Sequence, residues 1–131
     1  MPAAAAPQPS PVIYVVEDDA DVLRSLTLLL ESYDLSVKSY ASGGEFLADT
    51  PRAAGCLVLD CMPVSDGLEL VERLRDERIA MPVVLITSGQ DPGIPERARR
   101  SGVLAIIEKP FLSDRLLETI RRAFLMRPAS T

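Results

Sequence analysis

Apolar positions along this chain fall into two kinds of pattern. VIYVV (residues 12–16), CLVLD (56–60) and PVVLIT (82–87) are continuous aliphatic and β-branched runs, as expected of strands covered on both faces. LSVKSY (35–40) alternates like a half-buried strand, and VLAII (103–107) supplies a fifth run. Between the runs the period lengthens. Val22, Leu23, Leu26, Leu29, Leu30 and Tyr33 recur at helical spacing. Ser42-Gly43-Gly44 opens a short second helix that reaches about residue 48. Gly67 starts a third, with Leu68, Val71, Leu74 and the stem of Arg75 on its inner face. Residues 92–101 predict a weak fourth helix that carries Pro92, Gly93 and Pro95 early and is ended by Gly102. Residues 112–126 predict the last, with Leu116, Ile120 and Phe124 facing inward.

Strand and helix thus alternate five times. This predicts an α/β fold in which right-handed crossovers build a five-stranded parallel sheet, doubly wound with helices on both faces. Sheets of this kind bind ligands beyond the carboxyl ends of their strands. At those ends stand Glu17 and Asp18 after the first strand, Asp60 after the third, Thr87 and Ser88 after the fourth, and Lys109 after the fifth. Asp19 reads as the cap of the first helix.

Composition narrows the chemistry. Of 131 residues 47% are hydrophobic and 25% charged, which suits one globular domain. The expected division is an Ala/Pro-rich disordered leader over 1–11, the domain over 12–126 and a short tail over 127–131. A net charge of −5 argues against a non-specific grip on nucleic acid or on an anionic membrane. No apolar run has the length of a membrane span, and MPAAAAPQPSP lacks the basic start of a secretory signal. A cytoplasmic protein with reduced Cys56 and Cys61 is the expectation. Cys61 reads as a small space-filling thiol beside Asp60. The chain has no histidine, which excludes Ser-His and Cys-His catalysis and makes a zinc site improbable. Acids that converge on one rim need a cation among them. An all-oxygen donor set suits Mg²⁺, and Asp60 is then a candidate nucleophile for a phosphoryl group. Lys109 would neutralise the phosphoryl oxygens, and Thr87 or Ser88 would donate a hydrogen bond to one of them.

VVEDD, LVLDCMP…DGLEL, VVLITSG and IIEKPF, in that order, make the chain resemble the CheY-like, flavodoxin-like receiver domains of bacterial response regulators over residues 12–126. The spacing of Thr87, Gly102 and Lys109 is similar to that of the nitrogen-fixation regulators. The resemblance implies that Asp60 is the phosphoacceptor and that Mg²⁺ sits on Glu17, Asp18, Asp60 and the backbone carbonyl of Met62, with Asp18 the more direct ligand of the acidic pair. It further implies that Thr87 follows the phosphoryl group and that Lys109 steadies it and precedes a cis bond to Pro110. The donor would be a sensor histidine kinase or a phosphotransfer protein, and the chain a phosphoacceptor rather than an enzyme. With Thr131 as its last residue, a stand-alone receiver is expected. Two positions depart from the family. Only Cys61 separates Asp60 from Met62-Pro63, one residue fewer than usual, and Ile106 replaces the common Tyr or Phe three positions before Lys109.

Those departures keep a second reading open, a pseudo-receiver that binds partners without efficient phosphorylation. A phosphohydrolase with an Asp nucleophile is a third; it would need a second Asp where Met62 stands. Arg97 and Arg100 on the fourth helix and Arg115 and Arg122 on the last, with Ile106 between, form the expected switch and partner face. That face could pair two copies through the fourth helix, fifth strand and fifth helix. Asp91, Glu96, Asp114 and Glu118 are the nearby acids for ion pairs across such a contact.

Overall fold

The computed structural model describes residues 11–49, 55–60, 63–89 and 91–125. The expected leader, apart from Pro11, lies outside them, as do the tail over 127–131 and Met126. The elements are β1 (Val12–Glu17), α1 (Ala20–Glu31), β2 (Ser36–Tyr40), α2 (Gly43–Ala48), β3 (Gly55–Asp60), α3 (Val64–Asp76), β4 (Val83–Thr87), α4 (Ile94–Arg100), β5 (Ala105–Glu108) and α5 (Ser113–Leu125).

The strands form one sheet in the order β2-β1-β3-β4-β5, and each neighbouring pair is parallel. The order reverses between β1 and β3, the switch point of a flavodoxin-like doubly wound sheet. Every residue of β3 and β4 is buried, which is why these stretches read as unbroken apolar runs. One face carries Ile13, Val15, Cys56, Val58, Val84 and Ile86 against Leu26 and Leu30 of α1 and Leu116 and Ile120 of α5. The other carries Tyr14, Val16, Leu57, Leu59 and Leu85 against Phe46 of α2, Leu68, Val71 and Leu74 of α3, and Ile94 and Ala98 of α4.

Caps follow the local sequence. Asp19 accepts from the amides of Asp21 and Val22 at 2.9 and 3.1 Å, the N-cap role read for it. Ser42 accepts from the Glu45 amide at 3.1 Å, while the Glu45 carboxylate accepts from the Ala41 amide at 3.3 Å. Gly102, at φ 75°, ends α4: its amide and that of Val103 reach back to the carbonyls of Arg99 and Ala98. A residue with a side chain adopts that conformation only at a cost.

Three boundaries differ from expectation by two residues or more. α3 begins at Val64, not Gly67, because the Asp66 amide already bonds the Pro63 carbonyl at 3.0 Å. α4 is shorter than 92–101, since Pro92 and Gly93 form the turn before it. β5 runs Ala105–Glu108, set by its pairing with β4 from Val84↔Ala105 to Thr87↔Glu108. Val22 of α1 and Tyr33, in the turn just after it, share the apolar period of Leu26 and Leu30 yet are exposed.

Cys56 lies fully inside the sheet layer, and burial pushes its thiol up to about 12. In the native protein at pH 8 Cys56 should therefore resist an alkylating reagent and become labelled in denaturant. Peptide mass mapping of the alkylated protein, which separates Cys56 from Cys61, reads this out; rapid native labelling of Cys56 would contradict its placement.

Candidate functional site

The carboxyl edge of the sheet collects the polar residues expected there. Glu17 ends β1 and Asp60 ends β3, and the two are direct register partners. Each is only 3% exposed, so two acids face one another at the close of buried strands. Lys109, in the turn after β5, sets its Nζ 2.8 Å from Asp60 Oδ1. Its peptide bond to Pro110 is cis, as expected. Its amide donates to the Thr87 carbonyl at 2.8 Å, which ties this turn to the end of β4.

Glu17 carries the raised carboxyl of a buried acid among other acids. Burial raises its carboxyl, with hydrogen bonding to Asp18 adding to the rise; the Asp19 amide, 3.2 Å from Oε2, opposes it, and the charge and hydrogen bonding of Asp60 push it further, to about 7. Asp18 is exposed beside this pair. An oxygen-only set of acids that resist a common negative charge has the donor chemistry that Mg²⁺ takes. Glu17, Asp18 and Asp60 are the residues that would hold it. Among the described residues, however, no three acidic or cysteine side chains are already gathered into a metal-holding group. Met62, expected to contribute its carbonyl, lies outside the described residues together with Cys61.

Thr87 closes β4 and is buried, whereas Ser88 is exposed. The Thr87 hydroxyl oxygen accepts from the Gly89 amide at 3.0 Å, which leaves its proton free to be donated elsewhere. Ile106 is half-buried and packs toward the cluster that holds Ile94 and Ala98 of α4. Of the arginines, Arg97 is engaged within the chain. Its Nε and Nη2 fork the Glu72 carboxylate of α3, both at 2.8 Å, and this bond holds Glu72 below the usual carboxylate range. Glu96, expected to pair across two copies, binds Arg99 of its own helix at 2.6 Å. Arg100, Arg115 and Arg122 are exposed on α4 and α5.

Two features had no signal in the linear sequence. A groove of about 590 Å³ runs between α1 and the turn after β5, lined by Val22, Leu26, Leu29, Pro110 and Phe111 together with Asp60 and Lys109. It explains why Val22 is apolar although outside the core. Glu108 is the other: as the register partner of Thr87 it sets its carboxyl against Gly89.

The model of the response regulator receiver domain matches residues 13–121. The chain belongs to the response regulator receiver domain family. Over 119 residues this receiver is 36% identical to the response regulator protein TodT of Pseudomonas putida, covering 89% of the chain and 52% of TodT. It is 35% identical over 113 residues to the transcriptional regulatory protein FixJ of Bradyrhizobium diazoefficiens, covering 85% of the chain and 55% of FixJ. The receiver thus spans about half the length of these regulators. Among solved structures it matches FixJ-N with a TM-score of 0.83 at 32% identity, over 94% of this chain and 100% of that one. It matches the response regulator StyR with a TM-score of 0.82 at 34% identity, over 89% and 60% of the two chains. The five-stranded CheY-like fold and the place in two-component signalling agree with the reading of the sequence. Among the described residues, no helix is long and apolar enough to cross a membrane.

Proposed function

We propose that Asp60 of this receiver accepts a phosphoryl group from a sensor histidine kinase or phosphotransfer protein in the cytoplasm, and that the modified rim changes which proteins the chain binds. The observation that carries this reading is the Lys109 ammonium 2.8 Å from Asp60 at the end of the central strand, beside a buried acidic partner. An Asp60 oxygen attacks phosphorus, the bond to the donor imidazole breaks as the new O–P bond forms, and the imidazole leaves. Lys109 neutralises a phosphoryl oxygen, and the Thr87 hydroxyl donates its free proton to another. When bound to Glu17, Asp18 and Asp60, Mg²⁺ supplies the positive charge that lets an anionic donor approach this acidic rim.

The groove beside Asp60 supports the docking of a helical donor. Val22, Leu26 and Leu29 recur at helix spacing along one wall, and Pro110 and Phe111 form the other. Output would then be read at α4, β5 and α5, through Ile106, Arg100, Arg115 and Arg122, by another protein or a second copy of this chain. Arg97 would join that face only by releasing Glu72. The net charge of −5 favours a protein partner over nucleic acid.

A second reading, a pseudo-receiver that binds without being phosphorylated, draws support from two features. Only Cys61, Met62 and Pro63 lie between Asp60 and α3, and among the described residues the acids are not gathered into a ready metal group. Intact mass after incubation with Mg²⁺ and a small phosphoryl donor separates the two readings. One added phosphoryl group, absent in Asp60→Asn and in EDTA, is expected. No adduct, even with a histidine kinase as donor, would leave the pseudo-receiver as the function.

A further inference from the structure

α4 is seven residues long, and its two ends are held in different ways. No side chain caps its N-terminus. The Gly93 and Ile94 amides there reach only Asp91, at 3.2 Å each, within the same turn. Ile94 and Ala98 join the apolar cluster that Ile106 packs against, a contact without direction. The C-terminal end is tied to α3 through main-chain atoms. Arg75 of α3 donates from Nε to the Ser101 carbonyl at 2.9 Å and from Nη2 to the Gly102 carbonyl at 3.2 Å. The Ser101 hydroxyl in turn donates to the Arg97 carbonyl at 2.9 Å.

Between these ends lies a bond of another kind. Arg97 Nε and Nη2 fork the Glu72 carboxylate at 2.8 Å each, side chain to side chain across α4 and α3. Two parallel charged bonds fix the direction of both partners. The fork is nevertheless weak enough to open. Its side chains are 31% and 41% exposed, and an ion pair so exposed to water biases an equilibrium by no more than about fivefold. A swing of α4 about its anchored end stretches the fork before it disturbs the Arg75 bonds, because those lie at the pivot. The free end is the one that follows Thr87 in the chain, so a change at the rim reaches α4 there first.

We infer that Glu72 is a latch on α4: its fork with Arg97 holds the helix against α3 in the unmodified chain, and opening the fork lets α4 swing about the Arg75 anchor and frees Arg97 for the face formed by α4, β5 and α5. The link between opening and phosphorylation rests on the proposed role of Asp60; the hold of Glu72 on α4 does not.

Glu72 is the partner to substitute, since Arg100 is near enough to lower the Glu72 pKa and would take the place of a missing Arg97. The full chain is compared with Glu72→Gln and with Glu69→Gln, which removes a charge near Arg97 from the same helix but leaves the fork intact. In the absence of a donor, hydrogen exchange at the amides of residues 98–101 should be about three- to fivefold faster in Glu72→Gln and unchanged in Glu69→Gln. With Mg²⁺ and a small phosphoryl donor, Glu72→Gln should form the adduct about threefold faster than the native chain, because the open state gains population. An ion pair with a merely structural role would leave that rate alone or slow it. Native exchange at α4 in Glu72→Gln, or an adduct formed no faster than in the native chain, would overturn the latch. Should the native chain itself take up no phosphoryl group, the phosphoacceptor reading fails instead, and exchange at α4 alone decides whether Glu72 holds the helix.

Discussion

If Asp60 is the phosphoacceptor proposed above, Lys109→Ala is expected to lower its rate of phosphoryl uptake by about a hundredfold or more while the fold persists. The expected size follows from what the ammonium faces. Its partner, Asp60, is buried at the end of β3 beside another buried acid, Glu17, whose carboxyl is raised first by burial and further by the neighbouring acids. A phosphoryl group adds more charge at that spot, and a fixed donor aimed at such charge is worth roughly two to three powers of ten in rate. The effect on stability is smaller. The Lys109 side chain is 40% exposed, so solvent screens the pair and the loss is on the order of 1 kcal/mol. Lys109→Arg keeps the charge on a larger, planar head and should recover the rate only in part. Intact-mass time courses with a small donor measure the rates, and thermal unfolding of the same samples separates chemistry from folding. A Lys109→Ala protein phosphorylated within about fivefold of the native rate would show that another cation serves the site.

The pattern of the sequence carried far in the centre of this fold and less far at its edges, for a physical reason. β1, β3 and β4 are buried on both sides, so nearly every position is under the same demand for apolar side chains, and the demand is visible residue by residue. The rim follows from that pattern, because the residue at the end of each buried run must lie at the sheet edge, and Glu17, Asp60, Thr87 and Lys109 meet there on pattern alone. Val22 was harder to place, since a period of apolar residues does not distinguish a side chain packed on the sheet from one lining a groove shared with Phe111, far along the chain. Arg97 and Glu96 suit a second copy on sequence alone, because a sequence lists charges without their distances. Folding gives each an intramolecular partner, Glu72 on α3 and Arg99 on α4. The place of Glu108 escapes the pattern for the same reason. Its contact depends on the β4–β5 register and on the bare backbone of Gly89.

Arg75 is the clearest case in which the fold asks more of a residue than the pattern suggested. Its place on the inner side of α3 predicts a packed stem, but the head does more. Nε donates to the Ser101 carbonyl at 2.9 Å, Nη1 to those of Ile79 and Met81 at 2.8 and 2.9 Å, and Nη2 to that of Gly102 at 3.2 Å. One guanidinium thus joins the loop that leads into β4 to the turn that ends α4, where helix carbonyls lack amide partners of their own. Burial lowers its pKa, yet a guanidinium keeps its charge at neutral pH, so the charged form serves four acceptors. Arg75→Met preserves much of the stem and removes all four bonds. With the partial exposure of the site and the non-additivity of neighbouring bonds taken into account, the expected loss is about 3 kcal/mol. For a domain of this size that is a fall in Tm of about 10 °C or more. Arg75→Lys should recover little, because a single ammonium cannot reach carbonyls on both sides of the clamp. Thermal unfolding by circular dichroism at neutral pH tests both. A methionine variant that melts within a degree or two of the native protein would mean that packing of the stem accounts for Arg75 and that water serves the four carbonyls equally well.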